Sequence, residues 1–134
     1  MASVLRGGFL YFAIAFAAGF VLGTLRILVL APLIGELAAV ALELPVMLLV
    51  SWFACGGLVR QFSVPALAFP RLAMGALAFG LLMLAEIALS VLAFGRSGAE
   101  YLALLQTPSG LLGLSGQIAF AFIPLWQLGQ ARLK

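Results

Sequence analysis

Four long apolar segments constrain this chain more than any other feature of its sequence. A bilayer has a hydrocarbon core about 30 Å thick, and a helix needs about 20 consecutive apolar residues to cross it. Segments of that length lie at about residues 8–30, 33–59, 72–94 and 109–130. The sequence therefore predicts an all-α polytopic integral membrane protein whose single domain, residues 1–134, is a bundle of four transmembrane helices.

The composition supports this interpretation and excludes other classes. Hydrophobic residues make up 66% of the chain and charged residues only 8%, against roughly half and a quarter in ordinary soluble domains. So few charged side chains cannot cover the surface of a small soluble protein. The high hydrophobicity excludes a disordered chain, and the single cysteine, Cys55, excludes a disulfide scaffold. We expect the lipid bilayer to be the main partner of the surface.

Prolines and polar stretches indicate where the spans end. Pro32 is predicted to end the first span, whereas Pro45 lies inside the second and predicts a kink without a break. The third span follows a linker at residues 63–70. A short apolar stretch at 101–105 is typical of an interfacial turn of helix, and residues 107–109 form an N-terminal helix signal for the fourth span.

The positive charges indicate an orientation. Five cations fall on one side when the four spans are threaded through the membrane, and the positive-inside rule makes that side cytoplasmic. We expect both termini in the cytoplasm and a bacterial inner (plasma) membrane as the location. Because the excess charge is explained by topology, we expect no nucleic-acid partner. The five cations are Arg6, Arg60, Arg71, Arg132 and Lys134.

Polar residues from three spans share one depth. At 1.5 Å of rise per residue, Glu43, Glu86 and Gln117 lie roughly 12 to 15 Å below the non-cytoplasmic surface. Arg26 and Glu36 lie about 5 to 6 Å deep, one to two turns nearer that surface. The pattern predicts a proton or cation site at Glu43, Glu86 and Gln117, with Arg26 and Glu36 as an outer entrance or ion pair.

The charge balance of this layer leaves structural and functional interpretations open. A single arginine, Arg26, serves three carboxylates, so at least one glutamate is expected to be neutral at pH 7 and able to exchange protons. Alternatively, Arg26 and Glu36 fasten the first two helices together. A lone glutamine in a membrane helix, such as Gln117, is more typical of a hydrogen bond between helices than of a ligand site.

Small residues on the first span predict a helix contact. Ala15, Gly19 and Gly23 recur every four residues and form one face that lets another helix approach closely, with Arg26 at the contact. We expect a homo-oligomer that uses this face, or a subunit of a larger membrane complex.

These features favour a small transporter-like or channel-like protein whose carboxylate layer handles protons or a cation. The alternative is a structural accessory or assembly subunit of a membrane complex. An enzyme is less favoured, because the chain has no histidine, no aspartate and no evident base for its serines. For the same reason we expect no metal and no cofactor.

Overall fold

The computed structural model describes residues 2–93 and 95–133, and side chains as far as Leu128 within them. This part of the chain is helical and contains no strand. A π-helical segment, Arg26–Leu30, separates the first two α-helices. The α-helices are α1 (Ala2–Leu25), α2 (Ala31–Ile34), α3 (Glu36–Gln61), α4 (Ala68–Leu92), α5 (Gly98–Leu105) and α6 (Pro108–Leu133).

Within the described residues, four helices are long and apolar enough to cross a membrane, which confirms the predicted all-α bundle. The first runs without interruption from Ala2 to Ile34, through α1, the π-helical segment and α2, and so exceeds the predicted 8–30 at both ends. The predicted end of the third span at residue 94 lies outside the described residues. The other three candidate spans are Glu36–Gln61, Ala68–Leu92 and Pro108–Leu128.

The prediction that Pro32 ends the first span is wrong. Pro32 lies inside this continuous helix, and the π-helical segment directly before it gives room for a residue that has a ring and no backbone N–H. The chain turns instead at Gly35, whose φ of 90° and ψ of 160° suit a residue without a Cβ. The first two spans are therefore joined by one residue, and Glu36 is the first residue of α3.

The predicted linker at 63–70 is too long, because α4 already begins at Ala68, but three other helix-boundary signals agree with the structure. Pro45 lies inside α3 and does not end it. The predicted interfacial turn is the short helix α5, whose Ser97 side chain accepts a hydrogen bond from the backbone N–H of Glu100 at 3.1 Å. The predicted start of the fourth span is confirmed, since the Thr107 hydroxyl accepts a bond from the Gly110 N–H at 3.1 Å.

The four spans pack as a square. Helices α1 and α6 lie on one diagonal, and each packs against both α3 and α4. We call the end that holds the loop at 62–67 the terminal end of the bundle. The opposite end, which holds Gly35 and α5, is the turn end.

The tightest core lies at the terminal end. Tyr11 of α1 is fully buried, and its ring stacks on Phe120 of α6 with 4.1 Å between the ring centroids. The Tyr11 hydroxyl also donates to the Phe120 carbonyl at 2.7 Å. That carbonyl is available because Pro124, four residues later, has no N–H to donate to it. Met74 and Cys55 are fully buried members of the same core cluster.

Arg71 is buried in the same region, although it belongs to the five cations that predict the orientation. Its exposed fraction is 6%. Its Nε donates to the Pro65 carbonyl at 3.3 Å and its Nη1 to the Pro124 carbonyl at 3.2 Å. Arg71 therefore ties the loop at 62–67 to α6.

Helices α4 and α6 approach closely at Gly75, which is absent from the predicted small-residue face. A Cβ on Gly75 would overlap the Ala121 carbonyl, so α4 and α6 touch through their backbones here. On the predicted face, Ala15 is buried within the bundle. A Cβ on Gly19 would lie 3.8 Å from the Met47 side chain of α3. A Cβ on Gly23 would lie 3.9 Å from the guanidinium of Arg26, which belongs to the same span. A role for this face between chains stays a prediction.

Candidate functional site

Arg26 forms its short ion pair with Glu43. The Nη1 to Oε2 distance is 2.6 Å, and the two side chains are 25% and 12% exposed. Glu36 lies farther away, with 3.8 Å between its Oε1 and the Arg26 Nε, and its side chain is 54% exposed. The predicted pairing of Arg26 with Glu36 is thus present but loose, and exposed pairs of this kind contribute little to stability. The shorter, part-buried and charge-assisted bond to Glu43 is the stronger contact.

The geometry of α3 explains why Arg26 reaches both glutamates. Glu36 and Glu43 are two helical turns apart and project from the same face. Arg26 stands at the start of the π-helical segment, where the Ala31 N–H donates to the Arg26 carbonyl, five residues back. Such wide turns are frequent at functional sites. Here the wide turn directly precedes Pro32, whose ring clashes with the carbonyl four residues earlier in a regular α-helix.

Glu86 of α4 is bound by two neutral groups. The Gln117 Nε2 donates to its Oε1 at 2.5 Å, and the Tyr101 hydroxyl donates to its Oε2 at 3.3 Å. Gln117 belongs to α6 and Tyr101 to α5, so this carboxyl group joins three helices. The ion pairs that the structure records for Arg26 involve Glu36 and Glu43 rather than Glu86.

Tyr101 is absent from the predicted site. It is 9% exposed, and the Ser97 cap at the start of α5 sets the position of its helix. Burial, and next the charge of Glu86 with the hydrogen bond to it, raise the pKa of Tyr101 to about 12. The hydroxyl is therefore a donor throughout the physiological pH range. The Ser97 and Glu100 spacing indicates a helix start from the sequence, but nothing local indicates that Tyr101 turns toward α4.

Together these groups form one polar layer, which we define as Arg26, Glu43, Glu86, Tyr101 and Gln117. Arg26 and Glu43 lie close enough to Glu86 for their charges to act on its carboxyl group. Of the three residues predicted as one site, Glu86 and Gln117 are in direct contact, whereas Glu43 binds Arg26. The shared depth inferred from the sequence thus corresponds to two neighbouring bonded groups.

Two oxygens beside the layer have no hydrogen-bond partner within the described part of the chain. They are the Gln117 Oε1 and the hydroxyl of Ser90, and both are buried. Ser90 is 4% exposed and lies one turn after Glu86 on the same face of α4. Buried polar atoms without partners are rare in proteins, so this pair calls for an explanation.

The layer offers two kinds of chemistry. The Arg26 and Glu43 pair is a fixed contact between the first span and α3. Glu86, held by neutral donors, can take up and release a proton or a small cation. Over residues 2–93 and 95–133, His, Cys, Asp and Glu side chains form no group of three that could hold a metal ion. Comparisons of the chain with family models, with curated proteins and with solved structures found no match.

Proposed function

We propose that this protein is a transporter-like or channel-like membrane protein in which Glu86 exchanges protons or a cation. One observation carries the proposal: both Glu86 oxygens accept hydrogen bonds from neutral groups, while Arg26 is bonded to Glu43. An ionised carboxylate in a low-dielectric environment is costly unless it is paired. Glu86 therefore favours a bound proton or cation. A carboxyl group that binds and releases a proton or cation within the membrane can take part in its transport.

The remaining residues of the layer have supporting roles in this proposal. Arg26 and Glu43 neutralise each other, so that the net charge available to an occupant comes from Glu86. Glu36 is exposed near Gly35 and forms part of the outer entrance with Arg26. Pro45, inside α3, gives mobility in this proposal.

The membrane setting is part of the same proposal. We assign the protein to a bacterial inner membrane with both termini in the cytoplasm, on the distribution of Lys and Arg. Transport would be passive or driven by an ion gradient, through a homo-oligomer whose interface includes Gly19 and Gly23 but not Ala15, because Ala15 is buried within the bundle.

The test is flux in reconstituted vesicles. Protein in liposomes is given a proton, sodium or potassium gradient, and the flux is followed with an internal pH dye or by ion release. We expect Glu86→Gln to lower the flux at least about tenfold, since an amide can neither release a proton nor neutralise a cation. Glu100→Gln is the matched control because Glu100 is exposed at the same end of the bundle. Equal flux in the wild type and Glu86→Gln would contradict the proposal.

An accessory or assembly subunit is the second candidate, and the bonds between helices favour it. Arg26 ties the first span to α3, and Gln117 ties α6 to α4, as expected of contacts that only hold a bundle together. Purification in mild detergent separates the candidates. A partner protein in fixed stoichiometry supports the accessory role, and a homodimer supports the transporter.

A further inference from the structure

We propose that Glu86, Gln117 and Ser90 form a binding site for a small monovalent cation of the sodium type. This inference rests on the proposed function, because it names the occupant of the Glu86 site. It is argued from the three side chains, from the charge around them and from their position at the end of α4.

The first argument is the set of oxygen atoms. The Glu86 carboxylate supplies two oxygens, and the Gln117 Oε1 and the Ser90 Oγ supply two more. The Gln117 amide already contacts Glu86 through its nitrogen, so its oxygen lies beside the same carboxyl group. Ser90 lies one turn along α4, about 6 Å of rise away, with its hydroxyl buried and unpartnered in the described structure. Hard cations are bound by carboxylate, amide and hydroxyl oxygens of this kind.

The second argument is charge. Arg26 and Glu43 neutralise each other, so one negative charge, that of Glu86, remains among these three side chains. Divalent cations are usually held by more than one carboxylate, whereas one carboxylate with neutral oxygens matches a single positive charge. A proton on Glu86 would make this group a donor to one of the two unpartnered oxygens, those of Gln117 and Ser90, and would leave the other as it is. A cation can contact all of them.

The third argument is position. Ser90 lies in the last turn of α4, which ends at Leu92, and Glu86 lies one turn deeper. The carbonyl end of a helix carries partial negative charge and favours cations. Tyr101 of α5 donates to Glu86 at this end of the bundle. A cation would therefore reach the site from the turn end, past Tyr101.

The experiment measures thermal unfolding of the full chain in detergent. Midpoints are compared in sodium, potassium and choline chloride at equal ionic strength, because a ligand that binds only the folded state raises the midpoint. We expect sodium to raise the midpoint of the wild type relative to choline. Ser90→Ala should lower the apparent sodium affinity about tenfold through loss of one oxygen ligand. Glu86→Gln should abolish the sodium effect, and Ser115→Ala, an exposed serine of α6, should keep it.

Equal unfolding midpoints in sodium and choline would overturn the inference, and they are the result expected if a buried water occupies the site instead of an ion. A sodium effect that is unchanged in Ser90→Ala, or unchanged in Glu86→Gln, would also overturn it. Ser90→Ala keeps the test valid if Glu86→Gln fails to fold. The inference and the proposed function fail separately. A specific sodium effect without flux retains the site and contradicts transport, while Glu86-dependent proton flux without a sodium effect retains transport and contradicts the site.

Discussion

The two ends of the bundle satisfy their polar side chains in different ways. At the terminal end, Tyr11 donates to the Phe120 carbonyl, Arg71 to the Pro65 and Pro124 carbonyls, and Gln127 to the Trp52 carbonyl. At the turn end, the bonds of the polar layer join side chains, namely Arg26 to Glu43 and both Gln117 and Tyr101 to Glu86.

The difference has a physical consequence. A backbone carbonyl neither titrates nor rotates, so the terminal end keeps its hydrogen bonds whatever the charge state of the protein. A carboxyl group can gain a proton or a cation, so the bonds at the turn end depend on its occupant. The π-helical segment and α2 contain no buried residue, although Ala39 of α3 is fully buried at the same end of the bundle.

The largest expected effect on stability comes from removing one member of the ion pair at the turn end. Arg26→Met leaves the 12% exposed Glu43 carboxylate without its partner, which should cost about 3 to 5 kcal/mol. Removing both partners, in Arg26→Met with Glu43→Leu, should restore most of that loss. Chemical unfolding in detergent provides the measurement. At the terminal end, Arg71→Met removes hydrogen bonds to two backbone carbonyls but leaves no charged partner behind. It should therefore lower the free energy of unfolding by about 2 kcal/mol. If Arg26→Met with Glu43→Leu is as unstable as Arg26→Met alone, the loss does not come from an unpaired charge, and the proposed difference between the two ends is contradicted.

A smaller effect is expected where α4 and α6 touch. The methyl group of Gly75→Ala would meet the Ala121 carbonyl, which cannot move without shifting a helix, so we expect a loss of about 2 to 3 kcal/mol. Gly80→Ala is the matched control in the same helix, because no atom lies within 4 Å of a Cβ at that position. It should be neutral, or more stable by about 1 kcal/mol, since alanine favours helix. The measurement is the thermal unfolding midpoint of each variant. Equal midpoints for Gly75→Ala and Gly80→Ala would contradict the close contact between α4 and α6.

The smallest expected effect is a titration at the turn end. Burial and Glu86 raise the pKa of Tyr101 from 10.0 to about 12, so the stability that this group contributes is complete below pH 10 and is lost as the pH rises to about 12. In a Tyr11→Phe background, which leaves Tyr101 as the remaining tyrosine, tyrosinate absorbance should have its midpoint near pH 12. Adding Glu86→Gln should lower that midpoint. A midpoint near 10 in Tyr11→Phe itself would show that Tyr101 is not held against Glu86.

Several features of the site could be predicted from residue types and spacing. Depth along a helix follows from its rise per residue, and this placed Glu86 and Gln117 at a common level, where they are bonded. The same depth estimate led to the predicted pairing of Arg26 with Glu36, since these two residues lie at a similar depth. Depth alone does not show which neighbouring side chain is within reach. The structure bonds Arg26 to the deeper Glu43. Tyr101 could not be predicted as a partner, since its contact depends on how α5 lies against α4.

The sequence by itself determined the membrane class, the four spans and the level of their polar residues. These properties depend on chain length, hydropathy and helix periodicity, which are local. The tertiary structure decided the turn at Gly35, the backbone contact at Gly75 and the partners of Arg26 and Glu86. Each of these depends on the rotation and separation of neighbouring helices, and the packing of all four spans together sets those quantities.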